Sequence, residues 1–133
     1  MSSNQLALLE TEKVLVLVQE TDQRQIQFDE EDASSLIFLL KQDLKVPFLY
    51  RFTFNPMPYS EELVDDIETL HQAGYLQTSS PVSLEDKGRQ WIEQNQDRFQ
   101  LFTNLLSRAL DRFGSFDKAL MRRHAYNVAT ARL

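Results

Sequence analysis

The sequence predicts a mainly α protein with a small β component. Apolar residues make up 42% of its 133 residues, and only 3 Gly and 4 Pro interrupt them, which is typical of a folded, largely helical chain. Most of the apolar residues recur at helical spacing. Runs that alternate apolar and polar side chains, as strands do, are few and short.

The length predicts one domain spanning residues 1–133. Cysteine is absent, which excludes disulfides, thiolate metal sites and a cysteine nucleophile, and fits a reducing compartment. No apolar run approaches the roughly 18 residues of a membrane helix, and the start lacks the pattern of a signal peptide. We therefore expect a cytoplasmic protein without a membrane partner.

The charge is divided unevenly along the chain. Residues 1–66 hold 5 Lys or Arg against 13 Asp or Glu, whereas residues 67–133 hold 9 against 7. An acidic front half repels phosphate backbones, so a nucleic acid is not the expected partner. The back half has arginines that are candidates for contact with an anion: Arg108, Arg112, Arg122 and Arg123.

The first apolar segment, Leu6 to Val18, has two interpretations. Wound as a helix it is apolar on every side, but Val14, Val16 and Val18 also alternate as in a buried strand. Ile26 and Phe28 could then pair with it as a hairpin. The residues themselves leave both interpretations open.

The run Asp29-Glu30-Glu31-Asp32 is the densest cluster of charge. One interpretation is a divalent-cation site. The other is a helix start, with Asp29 as the cap and acids in the first turn, where the helix dipole favours them. Apolar residues follow at helical spacing, and the glycine of a calcium loop is missing, so we favour the helix start and expect no metal.

Residues 48–54 read as a strand. Phe48, Tyr50, Phe52 and Phe54 would point to one side, with polar or aliphatic residues between them. Such a row of rings can stack nucleic-acid bases or can pack against helices as part of the core. Few basic residues accompany it, so we favour the core.

The segment from Pro58 to Gly74 predicts the best-defined helix. Proline excludes a helix interior, Ser60 is a good N-cap, and Gly74 permits a left-handed end. The predicted buried stripe is Leu63, Ile67 and Leu70. The opposite face carries five carboxylates and no Lys or Arg: Glu61, Glu62, Asp65, Asp66 and Glu68.

Two short runs follow, Tyr75 to Thr78 and Val82 to Leu84, with a turn at Ser79-Ser80-Pro81. Ser83 is then predicted to cap another helix, with Asp86 as its capping-box partner. Helix, tight hairpin and helix is the order found in winged-helix domains, so we expect a winged-helix-like core at residues 30–95 and a helical extension at 96–133.

Several of these segments together resemble a bacterial family. Tyr50-Arg51-Phe52, Pro58-Tyr59-Ser60, the segment from Leu70 to Leu76 and that from Leu84 to Gly88 look like the YwgA-like and SocA-like (Panacea antitoxin) proteins. The resemblance covers residues 30–95, and Met57 stands where that family has glycine. It implies a phenylalanine-rich strand, a helix and a wing, and an antitoxin or adaptor that binds another protein. It also favours a helix over residues 4–20.

The back third predicts helices. Apolar residues keep helical spacing from Trp91 to Phe113, which predicts one long helix or two helices that break near Asn95. Gly114 would end this helical region, and Ser115 would cap the last helix. The last helix, residues 116–132, has no single apolar stripe, which favours burial between neighbours or in a homodimer. The expected interface consists of Leu101, Leu105 and Tyr126.

Enzymatic chemistry has little support in the sequence. The chain lacks a nucleophile elbow, a Walker loop and a dinucleotide fingerprint, and it has only two histidines, His71 and His124. We therefore expect no catalytic residue and no cofactor. Two functions remain: a protein-interaction module that uses the acidic helix and the wing, or a winged-helix DNA-binding regulator. DNA readers place Arg, Lys, Asn or Gln on that helix, so we favour the protein-interaction module.

Overall fold

The computed structural model describes residues 8–113 and 117–131, which form six helices and two small antiparallel sheets. The helices are α1 (Glu10–Gln23), α2 (Glu30–Leu44), α3 (Glu61–Gln72), α4 (Asp86–Gln94), α5 (Gln96–Phe113) and α6 (Lys118–Ala131). The strands are β1 (Thr53–Phe54), β2 (Pro58–Tyr59), β3 (Leu76–Gln77) and β4 (Ser83–Leu84). The predicted fold class, mainly α with a small β component, is confirmed. Within the described residues no helix has the length and apolar character to cross a membrane.

Helix α1 is the centre of the core, which confirms the helical interpretation of the first segment. Residues 14–18 are each at most 2% exposed, because α1 packs against α3, α4, α5 and β4 together. A helix surrounded in this way needs apolar side chains on every side. The helix begins at Glu10, and the predicted start at residue 4 lies outside the described residues.

The predicted strand over residues 48–54 is wrong for most of its length, since only Thr53 and Phe54 are in a strand. The alternation itself is correct: Phe48 and Tyr50 are buried, Leu49 is exposed, and the aromatic side belongs to the core. The backbone of this segment is held by side chains instead of by a neighbouring strand. Glu10 and Glu62 accept from the N–H groups of residues 49 and 51, and Lys13 and Lys41 donate to the carbonyls of residues 47 and 50.

Helix α3 forms as its local signals predict. The Ser60 hydroxyl accepts from the Leu63 N–H at 3.2 Å, and the predicted stripe of Leu63, Ile67 and Leu70 is buried. Gly74 follows the helix at a φ of +85°, a conformation that favours glycine. Ser34 of α2 accepts from the Ser60 N–H at 3.1 Å and so joins the start of α3 to α2.

The predicted hairpin is present, but the predicted cap at Ser83 is wrong. Ser83 pairs with Gln77 in the β3–β4 ladder, and α4 begins three residues later at Asp86. The hairpin and α4 meet at Gly88, where an added Cβ would lie 2.4 Å from the carbonyl oxygen of Tyr75. Glycine at this position therefore sets how closely α4 can approach the hairpin.

The chain breaks into two helices at Asn95, one of the two alternatives that the sequence left open. Helix α5 packs on α1 and shares the main core, although it lies beyond the predicted boundary at residue 96. Helix α6 packs on α2 through a separate small cluster. The predicted stop at Gly114 and cap at Ser115 lie outside the described residues.

Within one copy of the chain the last helix is not buried on several sides, and burial in a homodimer stays a prediction. One narrow face of α6 is buried, made of Met121, Ala125 and Ala129 against two residues of α2. Leu120 and Tyr126 are 62% and 45% exposed. Alanines let the two helices approach closely, Val128 packs partly against the same cluster, and Leu120 and Tyr126 face outward.

Candidate functional site

The five carboxylates of α3 divide into two groups. Glu62 accepts from the backbone N–H of Arg51 at 2.9 Å and forms an ion pair with its guanidinium at 3.2 Å. These hydrogen bonds from Arg51 hold the pKa of Glu62 below its ordinary value. Asp66 accepts a 2.6 Å hydrogen bond from the hydroxyl of Tyr50. Both carboxylates therefore fasten the extended segment to α3.

The other three carboxylates form an exposed row, which we name the acidic stripe: Glu61, Asp65 and Glu68. Their spacing of four and three residues places them on one face, directly opposite the buried stripe of α3. Among the described residues Glu61 and Asp65 have no hydrogen-bond or ion-pair partner, and Glu68 accepts only from the neighbouring Gln72 at 3.0 Å. Like charges one turn apart destabilise a helix by a few tenths of a kcal/mol, and no cation on α3 offsets this.

A shallow depression of about 380 Å³ adjoins the stripe. Its lining includes Glu61, Glu62 and Arg51 together with Phe52, Thr53 and Tyr59. Tyr59 is 49% exposed, and exposed tyrosines are over-represented among residues that dominate protein interfaces. From the sequence, Tyr59 was known only as the residue before the Ser60 cap. Its exposure beside the acidic stripe was not predicted.

The β3–β4 hairpin lies next to α3. Gln77, Ser79 and Ser80 are exposed on it, and no Lys or Arg lies between Phe52 and Asp86. The first cation beyond this span, Lys87, donates to the carbonyl of Ala73 at 2.8 Å and so caps the end of α3. The surface formed by α3 and the hairpin is therefore polar and negative.

The two histidines have separate structural partners. The ring of His71 lies 3.0 Å, Nδ1 to oxygen, from the carbonyl of Leu76, which ties α3 to β3. His124 of α6 lies 2.6 Å from a carboxylate oxygen of Asp43 on α2. The structure therefore gives each histidine a role in joining two elements.

The acidic run at the start of α2 does bring carboxylates together. Ligand oxygens of Asp29, Glu31 and Asp32 lie within 4.8 Å of one another. Two cations of α6 already face them: Lys118 lies 3.3 Å from Asp29, and Arg122 binds Asp32 at 2.7 and 2.9 Å. The hydrogen bonds from Ser80 and Lys118 lower the pKa of Asp29. The cluster is satisfied by protein cations and joins α6 to α2.

The arginines that the sequence grouped as anion contacts separate in the structure. Arg122 donates from Nε and Nη2 to Asp32, and Glu31 lies 3.6 Å away, so carboxylates of the chain already bind this guanidinium. Arg123 is exposed and has no partner among the described residues. Arg108 and Arg112 line a groove on α5 together with Lys45.

The residues that the sequence assigned to an oligomer interface also separate. Leu101 is 41% exposed and Leu105 is half-buried, and both line the groove on α5. Tyr126 lies on α6 and is not among the residues that line this groove. A surface that unites all three residues is therefore not evident in one copy.

In comparisons with known proteins, no family model, curated protein or solved structure matches this chain. Its function is therefore argued from the surfaces described above.

Proposed function

We propose that this chain is a non-enzymatic protein-interaction module that binds a basic surface of a partner protein through the acidic stripe and the β3–β4 hairpin. The observation that supports it is that, among the described residues, no cation pairs with Glu61, Asp65 or Glu68 on the exposed side of α3. Complementary charge speeds association and excludes wrong partners. Tyr59 beside the stripe supplies an aromatic anchor of the kind that dominates interface energies.

The helix α3, the hairpin β3–β4 and the helix α4 follow one another in the order of a winged-helix domain. With the resemblance to the SocA-like bacterial proteins, this order leads us to propose an antitoxin-like or adaptor role in the cytoplasm. In this proposal the hairpin is the wing, and α3 takes the position that contacts DNA in winged-helix regulators. A homodimer through Leu101, Leu105 and Tyr126 stays a prediction.

The second candidate is a DNA-binding regulator, which the same order of elements favours. Two observations count against it. Helix α3 would bring carboxylates to the groove and no cation. Residues 45–60 separate α2 from α3, whereas a helix-turn-helix joins its helices with a turn of three or four residues.

The proposal is tested with two variants of equal charge change. Asp65→Lys with Glu68→Lys reverses the stripe, and Asp22→Lys with Glu93→Lys reverses two exposed carboxylates elsewhere. Tagged chains are used for affinity purification from source cells, followed by mass spectrometry and by binding measurements with the recovered protein. We expect the wild type and the control to retain the same partner and the stripe variant to lose it.

Electrophoretic mobility shift with random duplex DNA at physiological salt separates the two candidates. We expect no retardation of the DNA by the wild type. Tight, salt-sensitive retardation that survives reversal of the stripe would contradict the proposal and favour the regulator.

A further inference from the structure

A groove lies between the end of α2 and the outer face of α5, on different elements from the acidic stripe. Its volume is about 390 Å³. Four aliphatic residues form its apolar part, Leu44, Leu101, Leu105 and Ala109, and Asn104 contributes an amide. Three cations border it: Lys45, Arg108 and Arg112. We name this feature the basic groove.

The cations of the basic groove have no carboxylate partner among the described residues. Lys45 donates only to the carbonyl of Gln42 at 3.0 Å, and no Asp or Glu lines the groove. The nearby Asp111 of α5 binds Arg24 of α1 instead, at 3.1 Å. The C-terminal ends of α2 and α5 favour cations, which stabilises the charges of Lys45 and Arg112 without occupying their N–H donors.

Five of the six other arginines in the described residues bind a carboxylate. These are Arg24, Arg51, Arg89, Arg98 and Arg122, whereas the sixth, Arg123, has no partner among the described residues. The net charge of the chain is −6, so carboxylates are in excess as partners. The basic groove, with three cations and no carboxylate, is therefore a positive region on a negatively charged protein. It lies beside the exposed side chain of Leu101.

We propose that the basic groove binds an acidic amphipathic segment of a partner protein. Apolar side chains of the segment would cover Leu101 and Leu105, and its carboxylates would bind Arg108 and Arg112. These two arginines lie one helical turn apart, which matches carboxylates on successive turns of a bound helix. The guanidinium fork binds carboxylates with two parallel hydrogen bonds.

The lining of the groove favours this occupant over three others. Proteins that bind single-stranded nucleic acid place aromatic rings under the bases, and the lining of this groove is aliphatic. The homodimer predicted through Leu101 and Leu105 competes for this face, and a symmetric dimer here would bring together the cations of two copies. An anionic lipid surface satisfies the arginines but does not need a groove with aliphatic walls.

The basic groove goes beyond the proposed function, because it binds an acidic segment, whereas the acidic stripe binds a basic surface through different residues. The probe is a short helical peptide with leucines at every third or fourth position and glutamates beside them. Its binding is followed by amide NMR titration and by fluorescence anisotropy. We expect shift changes at Leu101, Leu105 and Arg108, and loss of binding when the glutamates of the peptide are replaced with glutamine.

Two protein variants match in charge change. Arg108→Glu with Arg112→Glu reverses the groove, and Arg89→Glu with Arg123→Glu reverses two exposed cations outside it. We expect about a tenfold or greater loss of peptide affinity in the first variant and little change in the second. Because reversal could disturb folding, the milder pair Arg108→Gln with Arg112→Gln is measured as well, with circular dichroism as the control for folding.

Three results would overturn the inference. The first is a wild type that does not bind the peptide, or a groove variant that binds it equally well. The second is single-stranded DNA or anionic vesicles that bind through Arg108 and Arg112 while the peptide does not. The third is a wild type that sediments as a dimer and becomes monomeric in the groove variant. None of these results bears on the acidic stripe, so the two proposals fail independently.

Discussion

The hydroxyl of Tyr50 donates a 2.6 Å hydrogen bond to the carboxylate of Asp66. Tyr50 is 2% exposed and lies in the main core, whereas Asp66 belongs to the face that the sequence assigned to partner binding. Burial, with the carboxylate of Asp66, raises the pKa of the tyrosine far above its ordinary value, so the hydroxyl keeps its proton. Asp66 is thus a structural residue that joins the extended segment to α3, whereas Asp65 beside it has no partner among the described residues.

The first prediction concerns this pair. Replacing Tyr50 with Phe leaves a half-buried carboxylate without its donor, and we expect it to lower the free energy of unfolding by about 1–3 kcal/mol. Urea denaturation followed by circular dichroism measures the change. Asp65→Asn is the matched control on the exposed side and should alter stability by less than about 0.5 kcal/mol. Equal effects in the two variants would contradict the assignment.

The second prediction is a dependence of stability on pH through Glu12. Glu12 is 5% exposed, and its carboxylate joins α1 to α4 and α5 by accepting from the Leu9 N–H, the Trp91 indole and the Arg98 guanidinium. Burial alone would raise its pKa, but hydrogen bonds from Arg98 and the Leu9 backbone, with the charge of Arg98, lower the pKa below 4.5. The ionised carboxylate therefore stabilises the folded state above pH 4.5, and this contribution is lost as the pH falls through the folded-state pKa.

Glu12→Gln tests this dependence, because it removes the titrating group but keeps an acceptor. At neutral pH we expect a loss of about 1.5–3 kcal/mol. The gap between the wild type and the variant should narrow as the pH falls below 4.5, measured from urea midpoints across a pH series. Glu93→Gln, at an exposed site on α4, should run parallel to the wild type. If the difference in the free energy of unfolding stayed constant with pH, the charge of Glu12 would not contribute and only its packing would.

The third prediction concerns the attachment of α6. Asp32 is 3% exposed, and Arg122 binds both of its oxygens. Arg122→Met leaves this carboxylate without its cation, so we expect a loss of about 1–3 kcal/mol and faster amide exchange throughout α6. Arg123→Met, at the next residue, serves as the control and should leave exchange unchanged. Faster exchange throughout the molecule, and not in α6, would refute a local role.

The fourth prediction concerns metal. Lys118 and Arg122 already face the carboxylates at the start of α2, so we expect folding without a bound cation. Thermal unfolding should show the same midpoint with and without EDTA. A fall of several degrees on chelation would contradict this, since an ion bound to the native state stabilises it by mass action.

The fifth prediction concerns the contact between α4 and the hairpin. The methyl group of Gly88→Ala would lie 2.4 Å from the Tyr75 carbonyl oxygen, so α4 must move away. We expect a loss of about 1–3 kcal/mol, measured by urea denaturation. Gln90→Ala, at an exposed position of α4, should be nearly neutral. A neutral Gly88→Ala would mean that the hairpin and α4 adjust at little cost.

Local signals were sufficient for α3. Its signals all act within one helix length. They are Pro58 before the helix start, the Ser60 cap, the buried stripe from Leu63 to Leu70 and the turn at Gly74. The sequence left open whether the chain breaks at Asn95, because both helices keep the same apolar spacing. Only packing separates them. Helix α1 was ambiguous for another reason. An element that the core surrounds has no polar face, and the polar face is what shows whether the period is that of a helix or of a strand.

The sequence by itself determined which side of residues 48–54 is buried, because alternation reflects the environment of side chains. Only the tertiary structure decided that most of this segment is not a strand, because its backbone partners are side chains of residues such as Glu10 and Lys13, far away in the chain. The carboxylates of α3 follow the same division. Their number and face are local properties, but whether each is free depends on which distant donor reaches it: Tyr50 reaches Asp66, Arg51 reaches Glu62, and no described residue reaches Asp65.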